Sequence, residues 1–211
     1  MKRILIADDH SIVRYGLSTA LQKPFSEYIF DEAWDADTVM ESMKQHPYAA
    51  ILLDLNMPDS DPSILLHWIK SFHSTTRVLV VSMNEEKLFG MRSIQLGAHG
   101  YIKKDADPGE IVKAVQCILA GKKYISPELA NSILDNTLNG KSVNPFERLS
   151  PREFQVAMYM VQDYTVKQIG EMLQIQYATV NTFKQRIYEK LELEHRKDLM
   201  ELATAFSFAG K

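Results

Sequence analysis

Ala50-Ile51-Leu52-Leu53-Asp54 decides how the first half of this chain folds: four apolar residues in succession, stopped by a carboxylate. A strand with one face in water alternates apolar and polar residues. A run that does not alternate suits a strand covered on both faces, as in a parallel sheet flanked by helices. Val78-Leu79-Val80-Val81 repeats the pattern and ends at Ser82, and Ile4-Leu5-Ile6-Ala7 leads into Asp8-Asp9. Tyr28-Ile29-Phe30 and Gly100-Tyr101-Ile102 complete five β-rich runs. Between and after them, helical periodicity is predicted over 11–23, 36–45, 63–71, 85–96 and 108–120. The last carries Asp107 as cap, Pro108 at the first helical position and Gly121 just past the end. Five β-α units in order predict a doubly wound α/β domain on a five-stranded parallel sheet, spanning 1–121.

Beyond it the pattern changes. A weak helical pattern over 126–138 runs into Asn139-Gly140-Lys141-Ser142-Val143-Asn144-Pro145, which reads as a linker, so 122–146 is assigned as a linker with a helix. From Ser150 on, strand signals vanish, and 147–211 reads as a small all-α domain. Ser150-Pro151-Arg152-Glu153 starts a helix with a cap, a proline at the first position and a capping-box glutamate. A second start falls at Thr165. A short break, Gln174-Ile175-Gln176-Tyr177, precedes a third helix over 178–191. There Val180, Phe183, Ile187 and Leu191 recur at helical spacing and should face inward, leaving Asn181, Thr182, Lys184 and Gln185 outward. Two short helices joined by a tight turn, the second presenting amides and a cation, fit a helix-turn-helix reading double-stranded DNA.

Composition narrows the classes. With 45% hydrophobic residues in 211, the chain can bury two modest cores. Its single cysteine, Cys117, excludes an intramolecular disulfide and disfavours a cysteine-built zinc site. No apolar run approaches the roughly 18 residues of a membrane span. Met1 leads directly into a strand-like run, so the expectation is a cytoplasmic protein without a membrane partner. Charge speaks against nucleic acid at first sight. Residues 1–145 carry 15 Lys+Arg and 18 Asp+Glu, and residues 146–211 carry nine of each. Within the neutral second half, the segment from Val166 to Lys190 is basic, with Lys167, Lys184, Arg186 and Lys190 against Glu171 and Glu189.

In an open parallel sheet, ligands bind beyond the carboxyl ends of the strands. Asp8, Asp9, Asp54, Ser82 and Lys104 all fall there. Clustered carboxylates repel one another unless a cation intervenes, and an oxygen-rich site suits Mg²⁺. A carboxylate can also accept a phosphoryl group, whose oxygens a lysine, a hydroxyl and Mg²⁺ would stabilise.

The residues Leu5 to Leu17, with Asp8-Asp9-His10 at their centre, resemble the opening of bacterial response-regulator receivers of the NarL/FixJ subfamily, which are flavodoxin-like. Ile51-Leu52-Leu53-Asp54-Leu55-Asn56-Met57-Pro58 resembles their phosphoacceptor segment, and Gly97 to Asp105 their fifth-strand segment. Leu149-Ser150-Pro151-Arg152-Glu153 through Thr179-Val180-Asn181-Thr182-Phe183-Lys184 to Lys190-Leu191 resembles the LuxR-type helix-turn-helix found behind such receivers. The resemblance implies Asp54 as phosphoacceptor, with Asp8, Asp9, Asp54 and the Asn56 backbone carbonyl around Mg²⁺. It implies Lys104 on the phosphoryl group, and Ser82 with Tyr101 as a switch pair. Lys104 is preferred to Lys103, which should point to the other face of its strand. Thr179, Asn181, Thr182, Lys184 and Gln185 become the candidate DNA contacts. A sensor histidine kinase as phosphodonor, promoter DNA as target and a homodimer in the active form are the implied partners, the apolar Phe206-Ser207-Phe208-Ala209 either packing on the domain's own core or, as the resemblance favours, offering a dimer contact.

This chain departs from the family at four places. Pro62 replaces a usual glycine and should stiffen the loop after Met57-Pro58. Asp105 replaces a frequent proline. Asn181 stands where lysine is common, and Asp163 where a glycine commonly ends the first helix, which points to altered sequence preference. Three alternatives have different chemistry, one of them a module whose helices bind protein rather than DNA, which the neutral charge of residues 146–211 keeps open. A phosphorylation-independent regulator of the same architecture would keep the fold but ignore Asp54. A phosphohydrolase would need a titratable acid two residues after Asp54, where Asn56 stands, so the chain is not expected to be an enzyme.

Overall fold

The structure is a computed structural model describing residues 2–57, 62–84, 86–131 and 145–205. The chain divides into two compact units, residues 1–132 and 133–211. Residues 122–132, assigned to a linker from the sequence, thus group with the first unit.

The first unit runs β1 (Lys2–Ala7), α1 (Ser11–Gln22), β2 (Tyr28–Ala33), α2 (Ala36–Gln45), β3 (Ala50–Leu53), α3 (Pro62–Phe72), β4 (Arg77–Ser82), α4 (Glu86–Gln95), β5 (Gly100–Lys103) and α5 (Pro108–Leu119). A further helical segment, α6, is described over 127–131. The strands pair in parallel in the order β2-β1-β3-β4-β5. The non-alternating runs are explained by what covers them. Ile4 and Ile6 of β1 and Ala50 and Leu52 of β3 pack with Leu17, Leu21, Ile111, Val115 and Ile118 of α1 and α5. Leu5 and Ala7, with Ile51 and Leu53, pack on the opposite face with Val39, Met43, Leu65, Leu66 and Ile69 of α2 and α3. The strand order reverses between β1 and β3, so their carboxyl ends open a crevice at Asp8 and Asp54.

The differences from the sequence reading lie in the polar margins. β2 continues through Asp31-Glu32-Ala33, beyond the apolar stretch that signalled it. As an edge strand it tolerates polar side chains. Asp31 is bonded by Arg3 Nη1 at 2.6 Å and by the Tyr48 hydroxyl at 2.9 Å, and Glu32 by Arg14 Nε at 2.7 Å. Pro62 is the first residue of α3, where a missing N–H costs nothing. Asp107 caps α5 by accepting the Gly109 N–H, with Pro108 following it.

The second unit comprises a 3₁₀ turn (Pro145–Arg148), α7 (Pro151–Val161), α8 (Val166–Met172), α9 (Tyr177–Leu191) and α10 (Arg196–Ala205). α7 is its central helix, buried from Arg152 to Val161. Ser150 Oγ accepts the Glu153 N–H, and Glu153 Oε2 accepts the Ser150 N–H at 2.7 Å. Thr165 and Gln168 make the same reciprocal cap on α8. Val180, Ile187 and Leu191 of α9 are buried as expected, whereas Phe183 is only half-buried. Phe183 sits at the margin of the apolar stripe, where spacing alone does not separate core from rim. α7, α8 and α9 are followed by non-glycine residues of positive φ: Asp163 (69°), Gln174 (52°) and Glu192 (57°). The second half of the 126–138 pattern, the Asn139–Asn144 linker and Phe206-Ser207-Phe208-Ala209 lie outside the described residues.

Candidate functional site: a buried carboxylate–lysine cluster

β1 and β3 deliver Asp8 and Asp54 side by side, because the Asp54 N–H continues the sheet by donating to Ala7 O at 2.8 Å. β5 ends at Lys103, and the next amide, Lys104 N–H, donates to Ser82 O at 2.9 Å, which turns the Lys104 side chain inward. Its Nζ lies 2.6 Å from Asp8 Oδ2 and 2.9 Å from Asp54 Oδ2. Lys103 points elsewhere and pairs with Asp105 at 3.7 Å.

Burial sets the electrostatics. Desolvation pushes the Asp54 carboxyl up and nearby Asp8 adds to it. Lys104 pulls it back, leaving it raised to about 6. Burial alone would lower Lys104, yet the two carboxylates outweigh it and its ammonium is held above its ordinary value. Asp54 Oδ1 is buried without a hydrogen-bond partner among the described residues.

Asp9 sits beside Asp8, and His10 joins them. The His10 N–H donates to Asp8 Oδ1 at 2.9 Å, and its Nδ1 lies 2.7 Å from Asp9 Oδ1. Donor atoms of Asp8, Asp9 and His10 lie within 4.8 Å of one another. Receiver domains in general bind Mg²⁺ at such an acidic site. The residues here fit that ion: the carboxylate oxygens of Asp8 and Asp9 are hard donors, and Asp54 Oδ1 is a buried acceptor with unspent capacity. Asn56 follows Asp54 by two residues, and its backbone N–H faces the Asp54 carboxylate.

Ser82 and Tyr101 are both fully buried. They meet through a residue the sequence reading passed over. Asn84 donates its N–H to Ser82 Oγ at 3.3 Å and accepts the Tyr101 hydroxyl on its carbonyl at 2.9 Å. Arg14 was missed as well. Its Nη1 donates to Asp8 O at 2.8 Å and Asp9 O at 3.3 Å, fixing the β1–α1 turn. Backbone-directed contacts of this kind leave no periodic trace; only the adjacency of His10 to Asp8-Asp9 was there to be read.

In the second unit the candidate contacts share α9. Thr179, Thr182 and Gln185 are exposed, and Asn181 and Lys184 half-buried. Their bonds stay on the helix. Thr182 Oγ1 donates to Ala178 O, Gln185 Nε2 to Glu189, and Lys184 Nζ lies 5.6 Å from the Tyr188 ring centre. Gly170 lets the α8–α9 turn close on α8, since a Cβ there would stand 2.9 Å from Ile175 O.

Comparison with known proteins agrees with both halves. Residues 4–116 match the response regulator receiver domain and residues 147–203 the bacterial regulatory proteins, luxR family. The chain is 32% identical over 204 residues to response regulator GacA of Pseudomonas protegens, covering 96% of this chain and 95% of that one. It is 30% identical over 209 residues to oxygen regulatory protein NreC of Staphylococcus carnosus, covering 95% and 96%. Among solved structures, RcsB from Salmonella enterica serovar Typhimurium, bound to promoter rprA in the presence of phosphomimetic BeF3⁻, aligns with a TM-score of 0.63 at 22% identity. That alignment covers 96% of this chain and 98% of that one. The chain belongs to the two-component response regulators of the NarL/FixJ type, with a receiver domain followed by a LuxR-type DNA-binding domain.

Proposed function

We propose that Asp54 is the phosphoacceptor of this regulator and that its phosphorylation controls dimerisation and sequence-specific binding of promoter DNA through α9. The observation that carries the reading is the ion pair of Lys104 with Asp54 and Asp8 at the strand ends, buried and aimed at one crevice. A carboxylate oxygen of Asp54 attacks phosphorus of a phosphohistidine on a sensor kinase. The new O–P bond forms as the P–N bond breaks, and the departing imidazole takes a proton from water. Lys104 follows the charge, exchanging Asp8 for a phosphoryl oxygen. Asp8, Asp9, Asp54 and the Asn56 carbonyl would hold Mg²⁺, which supplies charge neutralisation on the phosphoryl oxygens. Ser82 stands one strand away with a hydroxyl to offer.

A phosphate-affinity gel after incubation with acetyl phosphate and Mg²⁺ tests this. A retarded band is expected for the wild type and none for Asp54→Asn, followed by tighter promoter binding of the phosphorylated form. Retained label in Asp54→Asn would overturn the assignment. A folded wild-type protein that takes up no label would favour the phosphorylation-independent reading.

A further inference from the structure

Residues 124–131 do not simply leave the receiver after α5; they fold back across it. Tyr124 adds to the edge of β5, bridging Gly100 in parallel, with its N–H donated to His99 O at 2.8 Å and its hydroxyl to Glu110 Oε1 at 2.8 Å. A Cβ at Gly100 would stand 2.9 Å from Tyr124 Cβ. α6 then lies on α4. Ser126, buried, caps α6 by accepting the Leu129 N–H at 3.1 Å. Leu129, also buried, sits over Gly90 in the middle of α4, where a Cβ would meet Leu129 Cδ2 at 2.8 Å. Neither Gly90 nor Gly100 has a positive φ. A helix-interior glycine with no conformational duty weakens its helix relative to alanine. The docked Leu129 accounts for Gly90, and the docked Tyr124 for Gly100.

The other side of this contact is the segment that follows β4. Glu86, the first residue of α4, has its carboxyl pushed up by burial and drawn part of the way back by the nearby Ser126 hydroxyl and amide. Two residues earlier, Asn84 holds the Tyr101 hydroxyl and the Ser82 Oγ. Contacts thus run from Ser82 through Asn84 to Tyr101, whose neighbour Gly100 bridges Tyr124 at the start of residues 124–131.

We propose that residues 124–131 form a latch on α4, which stabilises the arrangement in which Lys104 spans Asp8 and Asp54 and which is released when a group bound on Asp54 moves Ser82 and Asn84. The proposal rests on Asp54 being the phosphoacceptor. Contacts made in one arrangement and lost in the other bias the equilibrium, and the bias is reciprocal. Loosening the latch therefore tightens binding of a phosphoryl mimic at Asp54.

The probe is beryllium fluoride titrated with Mg²⁺ into the full-length protein, followed by the amide resonances of Ser82 and Asn84. Leu129→Ala and Gly90→Ala are the variants. The second places a methyl group under Leu129 while improving helix propensity, so it does not act by melting α4. Both are expected to bind the mimic about fivefold or more tighter than wild type. Ile64→Ala on the exposed side of α3 is expected to leave affinity unchanged. In the wild type, saturation with the mimic is expected to speed exchange of the Ala130 amide, which donates to Ser126 O. Wild-type affinity in both variants would overturn the latch and leave the phosphoacceptor reading standing. A wild-type protein that does not bind the mimic at all would overturn both.

Discussion

Lys104 Nζ lies 2.9 Å from Asp54 Oδ2, with 8% of the lysine side chain and 1% of the aspartate exposed. The pair is asymmetric. Lys104 also neutralises Asp8, whereas the Asp54 carboxyl, raised to about 6, is ionised at neutral pH against its burial. A carboxyl whose folded pKa lies above its unfolded value costs stability once the pH exceeds both. In chelator at pH 7, Asp54→Asn is expected to stabilise the receiver by on the order of 2 kcal/mol. Lys104→Met strands two buried carboxylates and is expected to destabilise it by about 3 kcal/mol. Urea unfolding gives both signs; a destabilised Asp54→Asn would refute the account.

Glu153 works the other way. Burial pushes its carboxyl up, but the Lys190 ammonium at 2.6 Å and the Ser150 N–H and hydroxyl outweigh that and hold it below its ordinary 4.5. Stability from a depressed carboxyl is fully present above the unfolded value and lost as pH falls through the folded one. Protection factors of the Ala157 and Ile187 amides, corrected for intrinsic exchange, should therefore fall below pH about 4.5 in the wild type. Glu153→Gln should flatten that acid limb while lowering protection at pH 7.

Glu192, at φ 57°, follows α9 in the left-handed conformation that glycine adopts without strain. Its carboxylate meets Arg148 at 3.1 Å, but both side chains are mostly exposed and the pair adds little. Glu192→Gly is expected to stabilise the second unit by about 1 kcal/mol. Thermal unfolding would show it as a higher midpoint; a lower one would mean that the Arg148 pair matters more than the backbone.

Lys184 tests the DNA interface. Lys184→Ala should weaken binding to promoter and unrelated duplexes alike and reduce the slope of log affinity against log salt by about one. Fluorescence anisotropy over a salt series reads both. An unchanged slope would place Lys184 away from the phosphates.

Much of this was legible in the residues. The non-alternating runs at 4–7, 50–53 and 78–81 require cover on both faces, and α1 and α5 on one side and α2 and α3 on the other supply it. Asp8, Asp54 and Lys104 could be placed together because a parallel sheet brings all its carboxyl ends to one edge. What periodicity could not show was contact made by backbone. Asn84 joins Ser82 to Tyr101 through its own N–H and carbonyl, and Arg14 grips the carbonyls of Asp8 and Asp9. Neither depends on a recurring side-chain pattern.

The amino-acid sequence alone determined the layered α/β receiver, the helical second domain and the carboxylate cluster, because the elements follow from spacing along each strand or helix and a parallel sheet brings its carboxyl ends to one edge. Tertiary structure alone decided which oxygens Lys104 reaches and that residues 124–131 return to cover β5 and α4. Gly90 lies inside α4, and Gly100 opens β5. They make sense only once Leu129 and Tyr124 lie against them, because the lack of a side chain acquires meaning from what occupies the space.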